Sequence, residues 1–374
     1  MPSNVCYLDI LDITKLKYVY YQIKLNSKQK EKFVFYDLFL TSNLFTIMYI
    51  LRNCQYHHLH YNIFLIHDPK FRIIMSENIN DKIINHLCSQ FLLFPILEKK
   101  MIKPSVATRE GLGTKAGLFY IKKYINSLKE NYNHFYVLKC DVHKFFYSID
   151  HNCLMEKMKK IYLDEDILKL LKEIINSTNE EYVNQKIEKE IEKTKKKIIQ
   201  SKLPLKEKEK RIQELNRIPR YEKGKGLPIG NVSSQILATY YLSDIDHFIK
   251  ERLHIKYYVR YMDDFILMHP DREYLKFCYQ EISKKLAEIK LHFNQKTQLV
   301  EIHQGFTFLG YQFILKEKRL IVRLNKKTKR KIFQECKHKS LKEKEEIIKK
   351  YHGILKHCDS TGYIFKLKFF NNNN

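Results

Sequence analysis

The 374 residues contain no tryptophan, and none of the eight cysteines stands in a Cys-x-x-Cys spacing. Without paired intervals there is no disulfide framework to read, and free thiols in a reducing cytosol are expected. Cys336, His338, His357 and Cys358 can be drawn as a zinc set, but neither of their spacings is one that zinc modules use. Long apolar runs are missing as well: no window of about 18 apolar residues exists, so no transmembrane helix and no membrane partner are expected. Asp9, Asp12 and Lys15 break up the beginning of the chain, which argues against a secretory signal and for a cytoplasmic protein. Acidic residues are scarce relative to basic ones. The 68 Lys and Arg against 42 Asp and Glu leave a net charge of +26, more than solubility requires, so a polyanion is the first partner to expect, nucleic acid ahead of a membrane surface. Against these absences, 44% of residues are hydrophobic and 13% are Tyr or Phe. That composition belongs to a folded enzyme of two or three lobes rather than to a disordered basic tail.

The most informative stretch is Tyr261-Met262-Asp263-Asp264, flanked on both sides by apolar, β-branched and aromatic residues. The flanks predict two short strands, with the two carboxylates at the tight turn between them. A bare Asp-Asp in a turn is usually just solvated; two acids held at a sheet edge repel one another unless a cation sits between them. Upstream, Phe135–Asp141 reads as a buried strand ending on an acid, followed by Phe145 and Phe146. Asp150 and His151 are expected to cap the helix that starts there.

Further segments have recognisable local form. Residues 1–60 are a helical lead-in. Asn62–Ile66 and Lys70–Ile74 predict a strand pair, with Lys70 and Arg72 on one face because side chains alternate along a strand. Residues 78–97 predict an amphipathic helix, and Ile102–Ala116 is a Gly-containing loop that offers Arg109, Lys115 and backbone amides to phosphate. In residues 180–220, Val183, Ile187, Ile191, Thr194 and Ile198 recur at helical spacing amid Lys and Glu, and Pro204 interrupts. This predicts a charged helical hairpin inserted into the chain, read first as a solvated coiled coil and second as an RNA- or partner-binding arm. From Lys316 to Lys350 there are 15 Lys or Arg against five Glu, read as basic helices following a duplex backbone.

Taken in order, these pieces resemble the motifs of reverse transcriptases. Tyr261–Asp264 resembles motif C, Asp141 with Phe146 resembles motif A, and Ser105–Thr114 is similar to the fingers loop Ser-x-Ala-x-Arg-x-Gly-x-Gly-Thr of bacterial members. Leu227-Pro-Ile-Gly-Asn-Val-Ser-Ser-Gln235 resembles motif B as it occurs in diversity-generating retroelement enzymes; Ile229 stands where retroviral and group II intron enzymes place a Gln. Leu291–Thr297 and Phe306–Phe313 are similar to motifs D and E. The resemblance implies an α+β right-hand polymerase of bacterial retroelement type: fingers and a ferredoxin-like palm over 61–310, carrying the 180–220 insert, and a basic helical thumb over 311–374. It implies RNA-directed DNA synthesis with two Mg2+ ions, Mn2+ being an alternative, held by Asp141, the Val142 carbonyl, Asp263 and Asp264. Lys296 would be the acid for the leaving pyrophosphate, and Lys70, Arg72, Arg109, Phe146, Ile229, Gly230 and Gln235 would face the nucleotide, with Phe146 as the gate against ribose. Phe308, Leu309 and Gly310 would form the primer grip. The implied partners are an RNA template, a DNA or RNA primer and dNTPs, with a dedicated noncoding RNA or an accessory protein as further candidates in a bacterial or phage-encoded system. Two other readings stand beside it: an antiphage-defence enzyme that uses its own noncoding RNA or no template, and a non-catalytic maturase-like RNA scaffold, against which the complete acid set speaks.

Overall fold

A computed structural model describes residues 5–68 and 70–369. The chain forms two compact units, each assembled from separated stretches. The first comprises the residues up to Ile102, His143–Asp244 and Leu286–His292; the second comprises Lys103–Val142, Ile245–Lys285 and the residues from Phe293 on. No single helix among the described residues is long and apolar enough to cross a membrane.

In the first unit, the helices Ile13–Asn26 and Leu40–Arg52 precede a hairpin of β1 (Asn62–His67) and β2 (Phe71–Ser76), paired in register from Asn62↔Ser76 to His67↔Phe71. Lys70 sits in the turn, one residue before β2, while Arg72 lies on the strand; both are exposed. The inserted hairpin is present as the helices Glu181–Gln200 and Leu205–Asn216, with Pro204 at the start of the second. Its apolar face is not solvated, as a free coiled coil's would be, but packs on the β1–β2 hairpin. Val183, Ile187, Ile191 and Ile198 share one core with Tyr61, Ile63, Ile73 and Met75. Their spacing of four, four and seven residues makes one continuous stripe, and the inner face of β1 and β2 is the apolar surface it covers.

The second unit contains a four-stranded antiparallel sheet in the order β4 (Tyr257–Tyr261), β5 (Asp264–His269), β3 (Tyr136–Asp141), β6 (Gln298–Glu301). A second antiparallel sheet joins β7 (Phe306–Phe308), β8 (Tyr311–Lys316) and β9 (Arg319–Leu324). One apolar cluster combines Leu118, Ile121, Ile125 and Leu128 of the Thr114–Asn131 helix with Val137, Val259, Ile266 and Phe313 of the two sheets and with Ile332, Cys336 and Leu355. The α+β class expected from the sequence is therefore the one found. The basic stretch from Lys316 is not helical throughout: β8 and β9 are joined by a two-residue turn, with Glu317 and Lys318 both at positive φ, and helix begins only at Lys326. Positive φ at both turn positions matches the right-handed twist of a hairpin, and six paired residues per strand override the local helical spacing.

Candidate active site

Tyr261 and Asp264 are register partners, so Met262 and Asp263 form a two-residue turn, and Met262 takes a φ of 56° to close it. Asp264 is thereby the first residue of β5. Across the central strand pair, Asp264 faces Asp141, the last residue of β3, at the 4.5 to 5.5 Å Cα separation, approximately, of antiparallel partners. The Asp141 carbonyl accepts from Asn294 N–H at 2.7 Å, which pins the strand end. Val142 continues into a bridge with Phe293. Three carboxylates from positions 122 and 123 residues apart in the chain thus meet at one end of one sheet.

Burial pushes the Asp264 carboxyl up, Lys139 pulls it down, and Asp141 and Asp263 raise it again, leaving it at about 7. Asp264 Oδ1 is buried without any hydrogen-bond partner. Lys139 Nζ lies 3.4 Å from Asp264 Oδ2 and donates to the Thr307 carbonyl at 2.9 Å, joining the acids to β7. Lys139 precedes Asp141 by two residues and so shares its strand face. An all-oxygen donor set with an orphaned buried carboxylate oxygen fits a hard divalent cation such as Mg2+.

The turn that carries Asp263 is braced from behind. Arg260, 1% exposed, donates through Nε to Asp246 Oδ1 at 2.7 Å and through Nη2 to Oδ2, while Nη1 donates to the Met262 carbonyl at 2.9 Å. Tyr258 Oη donates to the same Asp246 at 2.6 Å. The Arg260 backbone also pairs with Pro104 and Val106, which ties the 102–116 loop to β4. Sequence reasoning missed both Arg260 and Asp246. The available clue was an arginine inside an apolar strand, a residue type that is seldom buried without a paired charge.

In the first unit, the Phe146 carbonyl accepts from Leu227 N–H at 2.7 Å, and the Ile229 carbonyl accepts from Met75 N–H at 2.8 Å. Phe146, residues 227–229 and β2 are therefore linked by backbone bonds. Gly230 has a φ of 136°, and a Cβ there would meet the Met75 carbonyl oxygen at 2.7 Å, so this close approach needs glycine. Behind the turn lies a buried polar network. Glu77 accepts from both Asn85 and Asn231, Asn231 also donates to Tyr61 Oη at 3.0 Å, and Ser233 donates to Asn85. His58 stands 3.9 Å from Glu77 and 3.8 Å from Asp81. Burial raises the Glu77 carboxyl and His58 opposes that rise. For His58, burial lowers the pKa, but Glu77 and Asp81 outweigh it, so the net shift is upward.

With this geometry in view, the model of the family described as reverse transcriptase (RNA-dependent DNA polymerase) matches residues 67–313. The chain belongs to the reverse transcriptase family. No curated protein matches it. Among solved structures it is similar in fold to the apo telomerase of Candida tropicalis truncated from its C-terminal domain, at 15% identity and a TM-score of 0.46. That match covers 76% of this chain, which spans 60% of the telomerase chain.

The remaining expected residues of this reverse transcriptase fall as follows. Phe146 is half-buried in the short helix Phe145–Ser148, and Ile229 is half-buried in the same unit. Gln235 is exposed on the helix Val232–Tyr241. Arg109 donates to the Ser105 carbonyl at 3.1 Å, so part of its guanidinium holds its own loop. Lys296 is exposed in the turn between the bridge at Phe293 and β6. Leu309 and Gly310, at φ of 50° and 85°, close the β7–β8 turn, and Leu309 packs so tightly on Gly117 that a Cβ there would lie 2.5 Å away. Phe308 is in the core. Asp150 caps the helix His151–Lys159 as expected, accepting from Cys153 N–H at 2.9 Å. His151 does not cap: its ring bridges Asn176 and the Gly226 carbonyl, which fixes the approach to motif B.

Proposed function

We propose that this reverse transcriptase is an active RNA-directed DNA polymerase of bacterial retroelement type that extends a primer on an RNA template. The observation that carries the reading is the set Asp141, Asp263 and Asp264 at one sheet end, with a buried Asp264 oxygen that none of the described residues satisfies. Bound divalent cations, two Mg2+ ions in this reading, supply activation of the primer 3′-hydroxyl and neutralisation of the triphosphate. The protein's own part is positioning. Asp141 and Asp263 present carboxylates from a strand end and a braced turn; Lys139 holds Asp264 in place and limits its protonation. Arg260 fixes the backbone on which Asp263 rides. The roles of Lys296 as proton donor and of Phe146, Ile229 and Gly230 toward the nucleotide rest on the motif resemblance. Template RNA, primer and dNTPs follow as partners.

Asp263→Asn and Asp141→Asn should each abolish nucleotide addition in a primer-extension assay while leaving affinity for a template–primer duplex nearly unchanged, since the basic surface remains. Full activity in Asp263→Asn would remove the assignment. Products whose sequence ignores the template would instead favour an untemplated polymerase.

A further inference from the structure

Away from the three carboxylates, the second unit carries a surface cleft of about 630 Å³. Its walls come from the Thr114–Asn131 helix, the turn between β8 and β9, and the segment after the helix His352–Leu355. Five cations line it: Lys122, Lys129, Lys318, Arg319 and Lys356. Asp359 is the one acid among the lining residues, and its carboxylate is engaged at 2.9 Å by Val322 N–H at the sheet edge. Lys122 is held in place by the His357 carbonyl at 2.9 Å. His357 is pulled below the ordinary imidazole range first by burial and then by Lys356, Lys122 and Lys115.

The cleft is separate from the polymerising end of the sheet. Lys129 is near the C-terminal end of its helix, and the chain then enters β3 at Tyr136, whereas Asp141 ends that strand roughly 16 Å further along at the usual rise per residue. No acid of the catalytic set lines it.

We propose that this cleft binds the sugar-phosphate backbone of a folded, base-paired RNA, as a site additional to the primer–template site. Three observations select this partner. The cations are spread over three chain segments, a wider footprint than one small anion occupies. No Phe or Tyr lines the cleft, and His357 and the Arg319 guanidinium are its only stacking surfaces, too few for a run of splayed bases, so single-stranded recognition is disfavoured. Lys122, Asn126 and Lys129 stand at i, i+4 and i+7 on one helix face, placing an amide able to meet a ribose hydroxyl between two ammonium groups. The proposal does not depend on catalysis, because binding is read without nucleotide or metal.

The test uses the full chain and fluorescence anisotropy with a labelled RNA hairpin of about 20 base pairs, longer than the span of about 16 that backbone readers cover. Lys122→Gln/Lys129→Glu should lower affinity about tenfold at physiological salt and reduce the slope of log K against log salt by about 1.8, the loss of two duplex phosphate contacts. Turnover on a short primer–template at saturation should stay within about twofold, with KM unmoved. Unchanged hairpin affinity and slope overturn the proposal. An equal loss in KM for the short duplex also overturns it, by placing the lysines in the polymerase channel. An equal loss for a DNA hairpin of the same sequence overturns the assignment to RNA. Lys129→Glu alone, with half the slope change expected, serves if the double variant melts early.

Discussion

Replacing Asp246 by Asn separates the support of the active site from its chemistry. In the parent, both Asp246 oxygens bind the Arg260 guanidinium, and Tyr258 adds a third donor, all of it buried. The arginine cannot shed its charge when the partner is neutralised, because its pKa stays above about 12 in any protein environment. Removing one member of a buried pair costs about 3 to 5 kcal/mol. An asparagine can still accept one of the two N–H groups, which places Asp246→Asn near about 3 kcal/mol, a large share of a total stability of about 5 to 15 kcal/mol. Arg260→Leu/Asp246→Leu should recover most of that loss, since exchanging a whole buried pair for apolar side chains is often neutral. It would still lack the bond to the Met262 carbonyl. With that turn loosened, Asp263 moves, and a displacement of about 1 Å can cost roughly a hundredfold in rate. Urea unfolding and single-turnover primer extension read the two effects separately: the single variant unstable, the double variant stable but slow. An Asp246→Asn protein within about 1 kcal/mol of the parent, or a double variant with full activity, would refute the reasoning.

Three further outcomes are expected. Deleting 182–216 behind a short Gly/Ser bridge should lower the melting midpoint and expose apolar surface to dye, because the stripe covering Tyr61, Ile63, Ile73 and Met75 is lost; an unchanged midpoint would restore the solvated-hairpin reading. Ile229→Gln should reduce misincorporation on a defined RNA template, scored by sequencing, because an apolar contact discriminates by only about 1 to 3 kcal/mol where a matched polar contact does more; accurate copying by the parent would show that Ile229 does not loosen base selection. His58→Gln should destabilise most at acidic pH. The raised His58 pKa contributes stability that is complete below the unfolded value near 6.5 and is lost as pH rises through the folded value. Glu77, Asp81 and Tyr61 adjoin that ring, Tyr56 donates to Asp81, and Lys82 acts on Glu77. A difference in melting midpoint that grows from about pH 6 to about pH 9 would contradict this assignment.

The sequence alone determined whatever depends on neighbours in the chain. The strand–turn–strand around Tyr261–Asp264, the strand ending on Asp141 and the two inserted helices follow from periods of 2 and 3.6 and from turn residues, which are properties of short windows. The order of the motifs was likewise legible, and with it the candidate acids. Periodicity misled where local and non-local preference disagreed. Lys316–Leu324 has helix-like spacing, yet pairing from Tyr311↔Leu324 to Lys316↔Arg319 makes it a hairpin. Only the tertiary structure decided what each apolar stripe and each buried charge meets. Val183 and Ile187 announce a buried face but not that β1 and β2 supply the other half. Arg260 finds Asp246, Lys139 finds Asp264, and Glu77 finds Asn231 across separations of 14, 125 and 154 residues. Nothing local records such a pair, because a charge is held in the interior only by the partner that folding brings beside it.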